Sequence, residues 1–591
     1  MLVMALVCSV LLQAKVLYLN PGPNWEEANA KFAIYYFNSS SDDGWTGYLT
    51  KADKVYQGEV PDKYAKAIFV RLNPSGGINW ESKWNQTEDL TIPADKDMYV
   101  LTNWTDGYWA NYGESGGGDN PGGTTPAEYS TAVPSQCTDV MLQAFYWNSD
   151  KDNTYGTSKW TALQAQASEI SQYFQLVWLP PSCYSQTASM GYLPKQYSKQ
   201  KNSMGTEDEL RALIGELHKG KTKVVADVVI NHASNLSGWI NFFEMDFGEY
   251  GKFKPESSWI TANDEAGNEE GGKYKSSLGH NNDDGQEPNA NYGSARDWDH
   301  KNTDVQKMCR AYLLYLKNTI GYDGFRFDYC GGFHVSHVND YVSNAKPYFS
   351  VMEYWNGNPG VLKARIDDAG KNTMTFDFAS FYTCYQQGLA KNIYGNLINP
   401  GLRGQGYGKY AVNFIDNHDT FNRSDIGNTD CSNSSNGSSI NNKDLIMQSN
   451  AYILSMPGIP CVFWPHWYKY KSEIQKMITA RRMAGVHSES SVQESSGGDY
   501  YEATVTGKYG KLIVYLGSAA NKAKPEGFTE AIKINKVAIY YTGDGPKDEP
   551  DQEGINDVQN GKAQCTKVLR DGQLYIMYNG TMYNVQGNKV N

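Results

Sequence analysis

The sequence lacks any apolar run long enough to cross a bilayer. Its most apolar stretch, VMALVCSVLL at residues 3–12, is about half of the roughly 20 residues a spanning helix needs. It also lacks a basic excess. Lys and Arg total 53 against 65 Asp and Glu, a net charge of −12. That excludes a protein built to grip nucleic-acid phosphates and disfavours an anionic membrane surface. Cysteine is sparse, with nine in 591 residues and no C-x-x-C pair. Neither a dithiol motif nor a dense disulfide framework is expected. Disulfides remain permitted, because residues 1–14 read as a secretory signal whose apolar core ends at Leu12-Gln13-Ala14. That signal has no basic start, and Cys8 follows Val7 rather than a small residue, so a lipid anchor is not expected. The expected location is therefore outside the cell or on its surface. What the chain has in quantity is aromatic rings: 43 Tyr, 15 Trp and 20 Phe. Exposed rings stack on the apolar faces of sugars, although β-rich proteins also carry many of them.

The chain divides by texture. Residues 15–113 alternate short apolar or aromatic runs (VLYLN, KFAIYYF, AIFVRL, MYVLT) with turn signals such as Pro21-Gly22-Pro23-Asn24. This predicts a small β-sandwich. Residues 114–130, ESGGGDNPGGTTPAEYS, read as a flexible linker. From residue 131 to 480, apolar strands alternate with amphipathic segments, among them expected helices at Thr161–Phe174, Thr206–Lys219 and Val305–Lys317. Eight apolar strand runs appear: 141–147, 175–181, 223–230, 324–328, 349–355, 373–379, 410–416 and 460–466. A (β/α)8 barrel is the economical α/β architecture, with residues 233–299, which show no clear period, as an inserted subdomain after strand three. Residues 481–542 predict a small antiparallel β domain, 543–565 a second linker, and 566–591 a short β tail with hairpin signals at Asp571-Gly572 and Asn579-Gly580. The tail resembles C-terminal segments of some secreted bacterial proteins.

The chain centres on Gly324-Phe325-Arg326-Phe327-Asp328. Apolar and charged residues alternate as in a strand, which delivers a guanidinium and a carboxylate to its C-terminal end. An Arg two residues from an Asp can orient the carboxylate and hold it ionised, as a nucleophile at a sugar carbon requires. Three further strands end in polar groups: Asp227-Val-Val-Ile-Asn231-His232, Glu353-Tyr354-Trp355 and Asp416-Asn417-His418-Asp419. Singly, each could be an ordinary solvated strand end. Four in this order, each closing an apolar run, rarely arise by chance.

Together these segments resemble the signature regions of glycoside hydrolase family 13, the α-amylase family. QLVWLPP, MGYLPKQY, ELRALIGELHKGKTKVVADVVINH and QSNAYILSMPGIPCVFW extend the resemblance, which is nearest the plant-type subgroup and covers about residues 135–542. It implies Asp328 as nucleophile, Glu353 as acid and base with a raised pKa, and Asp419 as the third carboxylate. It implies sugar contacts from His232, His418 and Tyr192, Trp355 stacking on the leaving-group side, and Arg326 holding Asp328. It also implies Ca2+ held by Asn231, Asp297, the Ala290 and Gly332 carbonyls, and Glu287 where the subgroup has Asp; all are oxygen donors suited to a hard cation. One departure stands out. The subgroup's D-x-x-K-G is here Asp328-Tyr-Cys-Gly331-Gly332, so Gly331 replaces a Lys that serves the leaving-group side. In residues 15–113, YLNPGPNW, FAIYYF followed by Trp45, and IFVRLNPS resemble a family 26 starch-binding module. That resemblance implies stacking on α-glucan by Trp45 and by Tyr35 or Tyr36, with Trp45 as an exposed platform behind its polar loop.

The expectation is a secreted, monomeric, endo-acting enzyme that cleaves α-1,4 bonds of starch with retention. A maltooligosaccharide-forming, α-1,6-cleaving or transglycosylating relative on the same barrel is the alternative. A non-catalytic starch-capture protein is a second, disfavoured because binding alone would not need Glu353.

Overall fold

A computed structural model describes residues 14–21, 25–39, 41–52, 55–93, 96–101, 107–110, 128–187, 189–281, 292–293, 295–421, 442–546, 565–570, 573–578, 581–584 and 589–590. The expected signal up to residue 13, most of both expected linkers, Glu287, Ala290 and the two hairpin-turn dipeptides lie outside the described residues. The chain forms two compact units, Met1–Gly543 and Asp544–Asn591.

Eight parallel strands close into a barrel: β1 (Met141–Gln143), β2 (Leu176–Leu179), β3 (Lys223–Val228), β4 (Gly324–Phe327), β5 (Phe349–Met352), β6 (Met374–Phe376), β7 (Ala411–Asn413) and β8 (Ile459–Phe463). Closure is direct, with Met141 opposite Cys461 and Gln143 opposite Phe463. Every residue of β2, β4, β5 and β8 is buried. Both faces of such strands are covered, which is why they read as near-continuous apolar runs rather than alternating ones.

The strands are shorter than the apolar runs that predict them. β4 stops before Asp328 and β5 before Glu353. The last rungs of the ladder still hold those positions: Asp328 N–H donates to the Val228 carbonyl (3.0 Å) and Glu353 N–H to the Phe327 carbonyl (2.9 Å). The polar groups therefore sit just past the strands, on a frame fixed by backbone bonds.

Among the helices, α1 (Glu207–Lys219) matches its prediction. Thr206 caps it, accepting from Glu209 N–H while the Glu209 side chain accepts from Thr206 N–H. Its buried stripe is Leu210, Leu213, Ile214 and Leu217. The helix expected at Thr161–Phe174 is two, Trp160–Gln164 and Ala167–Tyr173, because the chain tightens at Gln166, whose N–H bonds the Leu163 carbonyl. The one expected at Val305–Lys317 starts earlier, at Thr303, where Asn302 caps it, and passes at Tyr315 into a π-helical turn closed by Gly321. Between β3 and that helix, the described residues form only short elements, including the ladders His232–Ala233 with Arg296–Asp297 and Met245–Asp246 with Lys252–Phe253. After β8 a helix runs from Trp464 through Ala484, and a five-stranded antiparallel sheet begins at Ser491.

Residues 14–110 form two five-stranded sheets with Leu17, Leu19, Phe32, Ile34, Phe69 and Tyr99 packed between them. Strand Lys31–Ser39 sends Phe32, Ile34 and Tyr36 inward and Ala33, Tyr35 and Phe37 to the opposite face. The second unit is a four-stranded antiparallel meander, Cys565–Arg570, Gln573–Tyr578, Thr581–Asn584 and Lys589–Val590. No described helix is long and apolar enough to cross a membrane.

Candidate active site

Arg326 sits in the barrel interior with 1 % of its surface exposed. Parallel register puts it directly opposite Asp227 of β3. Its Nη1 donates to Asp227 Oδ1 and to Asp328 Oδ1, each at 2.7 Å, and its Nη2 lies 2.7 Å from Glu353 Oε1. One guanidinium thus clamps carboxylates from the ends of three neighbouring strands. Asp227 is fixed from its other side, its Oδ2 accepting from the Tyr192 hydroxyl (2.7 Å) and the Trp178 indole N–H (3.0 Å). Glu353 Oε2 accepts the backbone N–H of Tyr329 at 2.9 Å. Tyr329 follows Asp328 in the left-handed region, at φ 47°, a costly conformation for a residue with a side chain. It turns that N–H onto Glu353.

The sequence pattern has Arg326 holding Asp328 ionised. Burial outweighs it: desolvation pushes the Asp328 carboxyl well above the usual range, Arg326 opposes this, and Glu353 and Asp227 add to it. Asp227 is likewise pushed by burial up to about 6. Three buried carboxyls around one cation favour keeping a proton within the cluster.

Asp419 stands across the mouth, past β7, its side chain 22 % exposed. Its N–H bonds Asn417 Oδ1 at 2.8 Å, and its Oδ2 lies 3.1 Å from His418 Nε2. His418 Nδ1 accepts from Gln143 Nε2 at 3.0 Å, which leaves Nε2 to carry the ring proton toward Asp419. The His418 ring lies parallel to Tyr192, with centroids 5.0 Å apart. Tyr192 reaches that position because Gly191, at φ 98°, lies against Pro181, where a Cβ would stand 2.4 Å from the carbonyl oxygen. Below the mouth, Asp416 and His466 form a fully buried pair at 3.1 Å.

His232 does not present a free nitrogen to the mouth. It is 1 % exposed. Its Nε2 lies 2.9 Å from the Tyr192 carbonyl, its Nδ1 3.1 Å from the Asn231 amide, and its ring stacks on Tyr292. Burial lowers its pKa to about 4, so it is neutral and donates from Nε2. Through Nε2 it holds the loop that carries Tyr192. Trp355 is 38 % exposed at the opposite rim, with one face on Phe378.

Asn231, Asp297 and Gly332 come together. Asn231 Nδ2 lies 3.3 Å from Asp297 Oδ1, and Gly332 is so close to the Asn231 amide that a Cβ would stand 1.9 Å from its Oδ1. Asp297 is 3 % exposed, and burial and Asp264 push its carboxyl up to about 8. A buried carboxyl under that pressure, beside an amide oxygen and a side-chain-free backbone, is a donor set that a hard cation would satisfy. Among the described residues no group of three or more His, Cys, Asp or Glu could hold a metal, and Glu287 and Ala290 lie outside them.

In the N-terminal sheets, Tyr35 pairs with Trp45 across the ladder at 5.1 Å, and Trp80 packs on both, at 4.9 and 4.7 Å. Trp80 is 40 % exposed. Tyr36 leaves the candidate set, because it faces the inter-sheet core. Trp45 is half-buried rather than a free platform. Trp80 escapes sequence reasoning because six tryptophans in this region offer no way to tell core from surface. Asp227 escapes it as a site residue too, although a charge inside the apolar run KVVADVVI signals a buried partner.

A family model described as the catalytic domain of alpha amylase matches residues 172–377. The chain is 29 % identical over 436 residues to probable alpha-amylase 2 of Arabidopsis thaliana, covering 68 % of this chain and 94 % of that protein. It is 33 % identical over 135 residues to the alpha-amylase type B isozyme of Hordeum vulgare, covering 22 % of this chain and 78 % of that one. Among solved structures, CldA, titled the first cyclomaltodextrin glucanotransferase with a three-domain ABC distribution, aligns with a TM-score of 0.50 at 14 % identity, over 69 % of this chain and 99 % of that one. That alignment speaks to the barrel fold alone. With the carboxylate-bearing strand ends, the barrel and the Hordeum vulgare match in agreement, the chain belongs to the alpha-amylase family.

Proposed function

We propose that this protein hydrolyses internal α-1,4-glucosidic bonds of starch with retention of configuration. The observation that carries the reading is the Arg326 clamp, which sets Asp328 and Glu353 side by side at the barrel mouth. Glu353 gives its proton to the glycosidic oxygen as the C1–O bond breaks. Asp328, the ionised partner when the cluster's proton rests on Glu353, forms the new bond to C1, giving a covalent glycosyl-enzyme. Glu353, now a carboxylate, takes a proton from water. That water's oxygen attacks C1 and releases Asp328. Asp419 and the His418 Nε2–H beside it stabilise positive charge and hydroxyls of the sugar in the transition state. Tyr192 supplies an apolar floor, and Trp355 the surface under the leaving glucan.

Asn231, Asp297 and the Gly332 carbonyl would hold Ca2+, which would tie the 233–299 insertion to the end of β4. Tyr35, Trp45 and Trp80 form the stacking surface of a starch-binding module, which raises local substrate concentration by tethering. The 1–14 leader implies export. The Gly331 departure favours one second reading: altered contacts on the leaving-group side would change product length or transfer the glycosyl group to a sugar instead of water.

Soluble starch and maltoheptaose test the reading, with the product anomer followed by NMR. α-Anomers should appear first, and Glu353→Gln should lower turnover by about 10²–10⁴-fold with the fold intact. Absence of reducing ends from the wild-type protein would sink the proposal.

A further inference from the structure

We propose that Tyr382 is a positioning residue for the leaving-group side of the cleft, fixing the plane of Trp355 on which the departing glucan rests. This rests on the hydrolytic reading above. Trp355 follows Glu353 by two residues and, unlike it, faces solvent: Trp355 is 38 % exposed and Glu353 6 %. An exposed indole left to itself would sample several rotamers, and stacking would have to offset that lost freedom. Here it is already ordered. One face lies on Phe378, with centroids 4.6 Å apart and planes 29° from parallel. Its edge is tied by the indole N–H, which donates to the Tyr382 hydroxyl at 2.6 Å. The residue still keeps 38 % of its surface exposed.

The support comes from outside the strand that carries Trp355. Phe378 and Tyr382 lie four residues apart on the segment after β6, where Phe378–Ser380 passes into a π-helical turn, Phe381–Gln386. Such turns occur disproportionately at functional sites. The segment is anchored at its start by Asp377, 1 % exposed, whose carboxylate accepts from Ser380 N–H (3.0 Å), Ser380 Oγ (2.6 Å) and Leu402 N–H (3.0 Å). The Tyr382 ring lies against the backbone of Gly357, where a Cβ would stand 3.0 Å from it. Trp355 is thus held by two rings of one neighbouring segment. With glycine at position 331, no long cationic side chain at that position shares the work, so recognition of the departing glucan falls more heavily on this ring.

The test compares Tyr382→Phe, which keeps the ring and removes the tether, with wild type on two substrates of the full-length enzyme. Maltoheptaose places sugars on the leaving-group side; 2-chloro-4-nitrophenyl maltotrioside places only an aryl group there. The expected result is a KM for maltoheptaose raised about three- to tenfold, as for one lost hydrogen bond, and a shifted cleavage pattern. Turnover of the aryl maltotrioside stays within about twofold. In a Trp355→Ala background the Tyr382→Phe effect should vanish, since the two act as one unit. Equal losses on both substrates, or no change with maltoheptaose, would overturn the inference. A wild-type protein inactive on both would overturn the hydrolytic reading beneath it.

Discussion

Arg326 is the residue whose surroundings decide the chemistry. Three carboxyls are buried around one guanidinium, and at Asp227 the cost of burial outweighs the guanidinium's pull. Its folded pKa is raised to about 6 from an ordinary 3.8. The folded state therefore binds more protons than the unfolded one between about pH 4 and 6, so this group's contribution to stability falls as pH rises through that window. Asp227→Asn removes the contribution. The variant's melting temperature, measured against wild type by calorimetry, should accordingly become relatively more favourable from pH 4 to pH 6. A difference that stays flat or slopes the other way would refute this. The residue types at the mouth are legible in the linear sequence, because Asp328, Glu353 and Asp419 each close an apolar run. The direction of proton affinity at Asp328 is not, since it depends on burial that no linear pattern reports. Nor is the fate of His232, whose nitrogens are spent on a backbone carbonyl 40 residues away and on the neighbouring Asn231 amide.

At the level of elements, end signals are the most legible. Thr206, Glu207 and Asp208 announce α1, and the capping box is there. Thr206→Ala should cost about 1 kcal/mol of stability, read as a lower denaturation midpoint, with turnover on maltoheptaose unchanged because α1 contributes no side chain to the mouth. Strand lengths are less legible. An apolar run continues past the point where ladder bonding stops, so the pattern puts Glu353 inside a strand that ends at Met352. The face of a strand in the N-terminal sheets is unreadable for a different reason. Lys31–Ser39 has apolar residues on both faces, since Ala33, Tyr35 and Phe37 cluster with Trp45 and Ile78 while Phe32, Ile34 and Tyr36 meet the other sheet. Alternation carries no information when both faces are apolar.

At the level of the whole molecule, catalysis and starch capture are assigned to different parts of the chain, and they should separate by mutation. Trp80→Ala removes an exposed ring from the Tyr35–Trp45–Trp80 cluster, which has no part in the chemistry. Adsorption to granular starch should fall several-fold while kcat/KM on maltoheptaose holds; equal adsorption would show that the cluster has another job. A last consequence follows from the pairing of β1 with β8, which joins Gln143 to Phe463 across some 320 intervening residues. A nascent chain cannot close this ring until β8 has left the ribosome. At about 5–20 residues per second, β1 waits roughly 16–64 s with one edge unpartnered. The N-terminal sheets, whose ladders all lie within residues 14–110, can finish during that interval. Birth order thus gives the growing chain a completed, water-compatible head while its largest sheet is still an open ribbon awaiting its final strand.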